Sequence, residues 1–168
     1  MLFRSYLRQI ASVSGETASL YVRLGWYAVR IATAPGTGEV THAPRLGETH
    51  PLAGHYAGRA MLAFFPDGEL ARYRAWAAKH AARPVRAPDL KTVRERGFAL
   101  GAAEFADARA PVAFPIRAGE DAVAALAVEA PVLNPNAPKA PSDWTEIVAH
   151  IESLVRAQPA LFENPYGH

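Results

Sequence analysis

The sequence predicts an α+β domain: an antiparallel or mixed sheet of about five or six strands with helices on its faces. Three observations lead there. Two separate stretches read as strand–turn–strand hairpins, helical periodicity marks both ends of the chain, and the composition is that of one globular unit. Half of the 168 residues are apolar and a fifth are charged, enough chain to bury about two-thirds of its unfolded surface in a single core.

The elements follow in order. Phe3, Leu7 and Ile10 recur at helical spacing, so Leu2 to Ser14 is a helix stopped by Gly15. The runs Ala18 to Arg23 and Trp26 to Ala32 flank Gly25 as a hairpin, with Leu20, Val22 and Leu24 alternating against Ser19, Tyr21 and Arg23. A loop at 34–38 precedes a short strand around Glu39 to His42. Tyr56 to Phe65 reads as a helix whose small residues Ala57, Gly58 and Ala60 allow close backbone approach. Asp67 is placed to cap a helix with Leu70, Tyr73 and Trp76 as its buried stripe. A linker at 84–88 leads to a helix from Leu90 to Arg96, capped by Asp89 and closed by Gly97. Val112 to Arg117 and Ala122 to Glu129 form the second hairpin. The proline-rich stretch 131–141 is a loop. A last helix starts at Ser142 or Asp143, with Glu146 placed for a capping box and Ile147, Ile151, Leu154 and Val155 buried. One domain over 1–163 and a frayed tail at 164–168 complete the expectation.

Composition excludes several classes. The net charge is only +2 and the arginines are scattered, so neither a basic stripe nor a recognition helix for nucleic acid is evident. The absence of cysteine excludes disulfides, thiolate metal sites and a cysteine nucleophile. No signal peptide or membrane-length apolar run is present, so a cytoplasmic location without membrane contact is expected.

Three ordered stretches carry a family resemblance. They are Ser14-Gly15-Glu16-Thr17-Ala18-Ser19-Leu20; then Leu46-Gly47-Glu48-Thr49-His50-Pro51-Leu52, continued by Ala57-Gly58-Arg59-Ala60-Met61; then Val93-Arg94-Glu95-Arg96-Gly97-Phe98 with Glu104 and Pro111-Val112-Ala113-Phe114-Pro115-Ile116. Together they resemble the effector-binding domain of IclR-family bacterial transcription regulators, over roughly Leu2 to Leu161. The resemblance implies a GAF-like fold, a pocket for small organic acids or aromatics on one sheet face, and a homodimer or higher oligomer. The chain begins at the first helix of that domain. The family's winged helix-turn-helix is therefore expected to be missing, and direct DNA binding with it.

By the same resemblance, effector carboxylates are held at the positions of Tyr56 and Ala57, by backbone amides at a helix N-terminus. The family's acidic pocket residue falls at Gly101, its small residue at Pro111, and two serines at Ala127 and Glu129. Glu104 matches a recurrent family position, although satisfying backbone amides is a competing role for it. Other polar groups stand where the family is often apolar: His42 and His50, with His55 and Glu39 nearby and Arg109 and Glu129 across. Buried charges must be paired or purposeful, so these residues form the candidate ligand site. His42, His50 and Glu129 could also hold a divalent metal. An enzyme on the same scaffold, using these groups for acid–base chemistry, is the alternative to a ligand sensor. Against both stands the ordinary role of a loop histidine as a solvated residue. Apolar residues from Trp26 to Ile31 are the expected oligomer surface.

Overall fold

The computed structural model describes residues 2–36, 44–101, 111–129 and 144–157. Helix α1 (Leu2–Ser14) leads into strands β1 (Thr17–Leu24) and β2 (Tyr27–Ala34). Strand β3 (Thr49–Pro51), a 3-10 turn (Leu52–Gly54) and helices α2 (Tyr56–Leu62), α3 (Asp67–Lys79) and α4 (Ala87–Arg96) follow. The chain returns through β4 (Ala99–Leu100), β5 (Val112–Ala118) and β6 (Asp121–Glu129) to α5 (Trp144–Arg156). The six strands form one sheet in the order β3-β2-β1-β6-β5-β4, every neighbour antiparallel. This is the expected α+β architecture, consistent with the GAF-like fold.

Both hairpins stand where the sequence places them, and they join along β1 and β6. Strands β3 and β4 are additions. They are three and two residues long, too short for an alternation pattern to show. The expected strand at Glu39 to His42, the loop at 131–141 and the tail lie outside the described residues. Asp67 and Asp89 are not N-caps. Those positions belong to Pro66 and Arg86, and the two aspartates sit in the first turns, where negative charge still suits the helix dipole. Gly97 closes α4 as expected, in the left-handed conformation at φ 91°.

Alternation along the strands sorts two cores. On one sheet face, Leu20, Phe114, Ile116, Leu126 and Val128 pack against Leu7 and Ile10 of α1 and Ile151 of α5. On the other, Ala28, Ala113, Ala125 and Ala127 form a shallow floor beneath Ala57, Ala60 and Met61 of α2. Tyr21 belongs to this second face and is fully buried. The one-sided alternation read for β1 is thus only half of the pattern, because helices cover both faces.

A β-bulge splits β2 between the cores. Leu20 pairs with Ala32 and Tyr21 with Arg30, which leaves Ile31 as the extra residue. Ala34 therefore packs toward α1, while Ala28 and Arg30 point toward α2 with Tyr21. The buried side of Arg30 is decided by that one residue.

Helix α2 is also held from above by the 3-10 turn. A Cβ on Gly58 would collide with the backbone of Leu52, its carbonyl oxygen first. Backbone cannot move aside as a flexible side chain can. Gly58→Ala should therefore cost about 1–3 kcal/mol of stability, read as a lowered midpoint in chemical denaturation with an unchanged m-value.

Candidate functional site

The described polar residues converge around a group that sequence reasoning passed over. Arg30 is 6% exposed, and its guanidinium binds carboxylates on two sides. Nη2 donates to Glu129 and to the Tyr21 hydroxyl oxygen, and Nη1 donates to Glu48. The Tyr21 hydroxyl donates to Glu129 Oε1 at 2.7 Å. Glu129 reaches the cluster from the end of β6, Tyr21 and Arg30 from facing positions of β1 and β2, and Glu48 from the approach to β3. Among the described residues, the buried Arg30 Nε–H has no acceptor.

An aromatic column continues from this network. The rings of His50 and His55 stack at 4.3 Å between centroids and 18° between planes. His55 and Tyr56 stack at 4.0 Å and 29°. The Tyr21 ring meets His55 at 4.9 Å. His50 Nε2 lies 3.4 Å from Glu48 Oε1, so the column and the ion network share Glu48.

Electrostatics fix the protonation states. Burial first, then the charge of Glu129, push the Tyr21 and Tyr56 hydroxyls well above the ordinary phenol range. Burial works against the Arg30 charge, but Glu129, Tyr21 and Glu48 outweigh it and hold the guanidinium charged. Burial, followed by repulsion from His50, Arg30 and Arg59, lowers His55 to about 3. At neutral pH His55 is a neutral imidazole.

The sequence candidates divide accordingly. His50, His55, Tyr56 and Glu129 come together. Ala127 is buried on the same sheet face, and Ala57 begins the buried run of α2. Gly101 and Pro111 are joined by a 2.8 Å bond from the Gly101 N–H to the Pro111 carbonyl. A Cβ on Gly101 would meet the Pro111 ring and, at 3.0 Å, the Tyr56 ring, so this pair borders the column. His42, Glu39, Glu104 and Arg109 lie outside the described residues. The expected amide cradle is changed: the Ala57 N–H already donates to His55 Nδ1 at 3.1 Å, leaving that donor spent. No group of three or more His, Asp or Glu among the described residues is placed to hold a metal. Tyr21 and Arg30 were missed because each reads locally as an ordinary strand residue. The available signal was a charged side chain in the middle of an apolar strand, with an unexplained carboxylate at the end of another.

Fold and site together define a helix-covered antiparallel sheet with a polar cluster under one short helix. The chain matches the family model described as bacterial transcriptional regulator IclR C-terminal over residues 1–149. It belongs to that family, as a regulatory domain of the IclR type. No curated protein matches it. Among solved structures, it is similar to the C-terminal domain of a putative transcriptional regulator from Vibrio cholerae. That pair shares 21% identity and a TM-score of 0.72, over 91% of each chain. IclR of Thermotoga maritima is 19% identical with a TM-score of 0.69, covering 98% of this chain and 66% of that one. A putative IclR transcriptional regulator from a Silicibacter species is 19% identical with a TM-score of 0.74, covering 96% and 65%. The chain thus spans just under two-thirds of the length of the last two, and likeness at these identities concerns the fold.

The lowered His55 has a signed consequence. Unfolded, this histidine takes up a proton below about pH 6.5, whereas folded it does so only near 3. Its contribution to stability is complete above the unfolded value and is lost as pH falls through that window. The unfolding free energy of the wild type should fall by up to about 1.4 kcal/mol per pH unit more steeply than that of His55→Asn between pH 6 and 4. Asparagine keeps an acceptor for the Ala57 amide. Equal slopes in urea titrations across that range would contradict the assignment.

Proposed function

We propose that this chain is an effector-binding domain that takes a small organic molecule at the Arg30–Glu129 network and the aromatic column beside it. The observation that carries this reading is the buried Arg30 Nε–H, which has no acceptor among the described residues. A buried ion pair is weak evidence for a stability device, since a packed apolar pair of similar size often does as well. A buried donor left unspent next to stacked aromatic faces suits a ligand that brings an oxygen acceptor and a flat ring.

Of the two ligand classes expected for the family, organic acids and aromatics, the geometry favours the aromatic. Arg30 is already matched by two carboxylates, and the Ala57 amide is taken by His55. A bare carboxylate would meet Glu129 and Glu48 as well as Arg30. A hydroxylated ring would stack on His50 or Tyr56 and give its oxygen to Arg30 Nε. An enzymatic role draws no support from these groups. Tyr21, Tyr56 and His55 are all held far from the neutral titration range that proton transfer needs.

A titration of the intact chain with phenol, catechol and neutral hydroxybenzamides, followed by calorimetry, tests this reading. Saturable binding is expected for at least one. Glu129→Gln should weaken it by about tenfold or more, because releasing Arg30 from its partner disorders the donor. His50→Ala should weaken it with little change in melting temperature, since that ring is partly exposed. Absence of saturable binding across the series would refute the aromatic assignment.

We also propose a homodimer formed through the β1–β2 hairpin. Leu24 is 69% exposed, and Tyr27 and Ile31 are exposed beside it. Trp26, expected in that surface, instead packs on the core against Tyr73 at 5.7 Å. Sedimentation at micromolar concentration should give a dimer, and the double substitution Leu24→Glu with Ile31→Glu should give a monomer of unchanged secondary structure. A monomeric wild type would exclude the surface.

A further inference from the structure

A second polar region lies one turn further along α2. A cleft of about 300 Å³ opens between α2, α4 and the segment joining α3 to α4, the lower end of the size range of small-molecule sites. Arg59, Arg83 and Arg96 line it, with Asp89 as the acidic member. Its floor is apolar and includes Leu90 and Val93.

Charge in this cleft is not balanced. Arg59 is partly buried, and among the described residues its guanidinium bonds only to the Leu100 carbonyl, at 2.9 Å. Among the described residues no carboxylate lies within ion-pair distance of Arg59 or Arg83. Asp89 sits 3.9 Å from Arg86 instead. Arg96 lies over the Phe98 ring at 5.0 Å. Burial, and then the nearby charge of Arg83, lower the proton affinity of Arg59. A half-desolvated guanidinium facing another cation is an arrangement that an anion relieves.

We propose that this cleft is a second ligand site, which takes a small organic carboxylate with a compact aliphatic body. The carboxylate would bridge Arg59 and Arg83, and the aliphatic part would lie on Leu90 and Val93. The site is distinct from the Arg30 network, where the guanidinium is already neutralised.

The experiment is a titration of the intact chain with butyrate at constant ionic strength, followed by amide chemical shifts, with sodium chloride as the comparison salt. Saturable shifts at Leu100 and along α4 are expected with butyrate and not with chloride. Arg83→Gln should weaken binding by at least about tenfold. Its side chain is exposed, so folding should be intact, and thermal melting checks this. Arg59→Gln should act in the same direction, and Glu129→Gln should leave butyrate affinity unchanged. Loss of butyrate binding in Glu129→Gln with retention in Arg83→Gln would move the ligand to the Arg30 network and overturn the proposal. Shifts that chloride reproduces, or that do not saturate, would also overturn it.

Discussion

The arrangement rests on how closely α2 approaches the sheet. Ala113, Ala125 and Ala127 present methyl groups where the opposite face carries Phe114, Leu126 and Val128. Small floor residues bring the helix axis near the strands, and the Leu52 turn, fitted against Gly58, presses it there. A helix of seven residues has little stability of its own, so its position is set almost wholly by this contact. That position carries His55 and Tyr56 to one polar cluster and Arg59 to another.

The Arg30 network is the costly part of the design. Removing a guanidinium from water is tolerated only because Glu129, Glu48 and the Tyr21 hydroxyl surround it. Well-packed apolar residues in place of a buried ion pair are often no less stable. Retaining ions here gives the domain a rigid, directional polar surface beneath α2. Beside it, burial holds the Tyr21 and Tyr56 hydroxyls protonated and the His55 ring neutral at neutral pH.

Two polar regions therefore meet successive turns of a two-turn helix, and they differ in character. One is an ion network closed on itself, with stacked rings beside it. The other is a cleft with an excess of arginine. The difference follows from the partners within reach. Glu129 comes to Arg30 from the end of a strand and Glu48 from the residue before one, whereas Asp89, the acidic residue lining the cleft of Arg59 and Arg83, sits by Arg86. Because His55 caps the short helix that carries Tyr56 and Arg59, a shift of α2 would be felt in both places.

The two hairpins, the helices at both ends and the Gly97 stop were legible in the sequence, because each rests on periodicity or turn chemistry within a few residues. The gathering of His50, His55, Tyr56 and Glu129 was legible only through resemblance, since no local pattern links residues so far apart. For Arg30 the sequence offered only a charge in the middle of an apolar strand, and for Tyr21 nothing beyond an ordinary strand position. Arg30 faces α2 only because Ile31 bulges out of register, and a one-residue slip would send it to the opposite face. Likewise, Ala57 is a good anion-binding position by its place at a helix start, yet His55 folds back to occupy its amide. The sequence by itself determined the class of fold, through local patterns that each element carries. Tertiary structure decided which charges are buried together and which donors remain unspent, because strand register and side-chain competition for partners are properties of the assembled sheet.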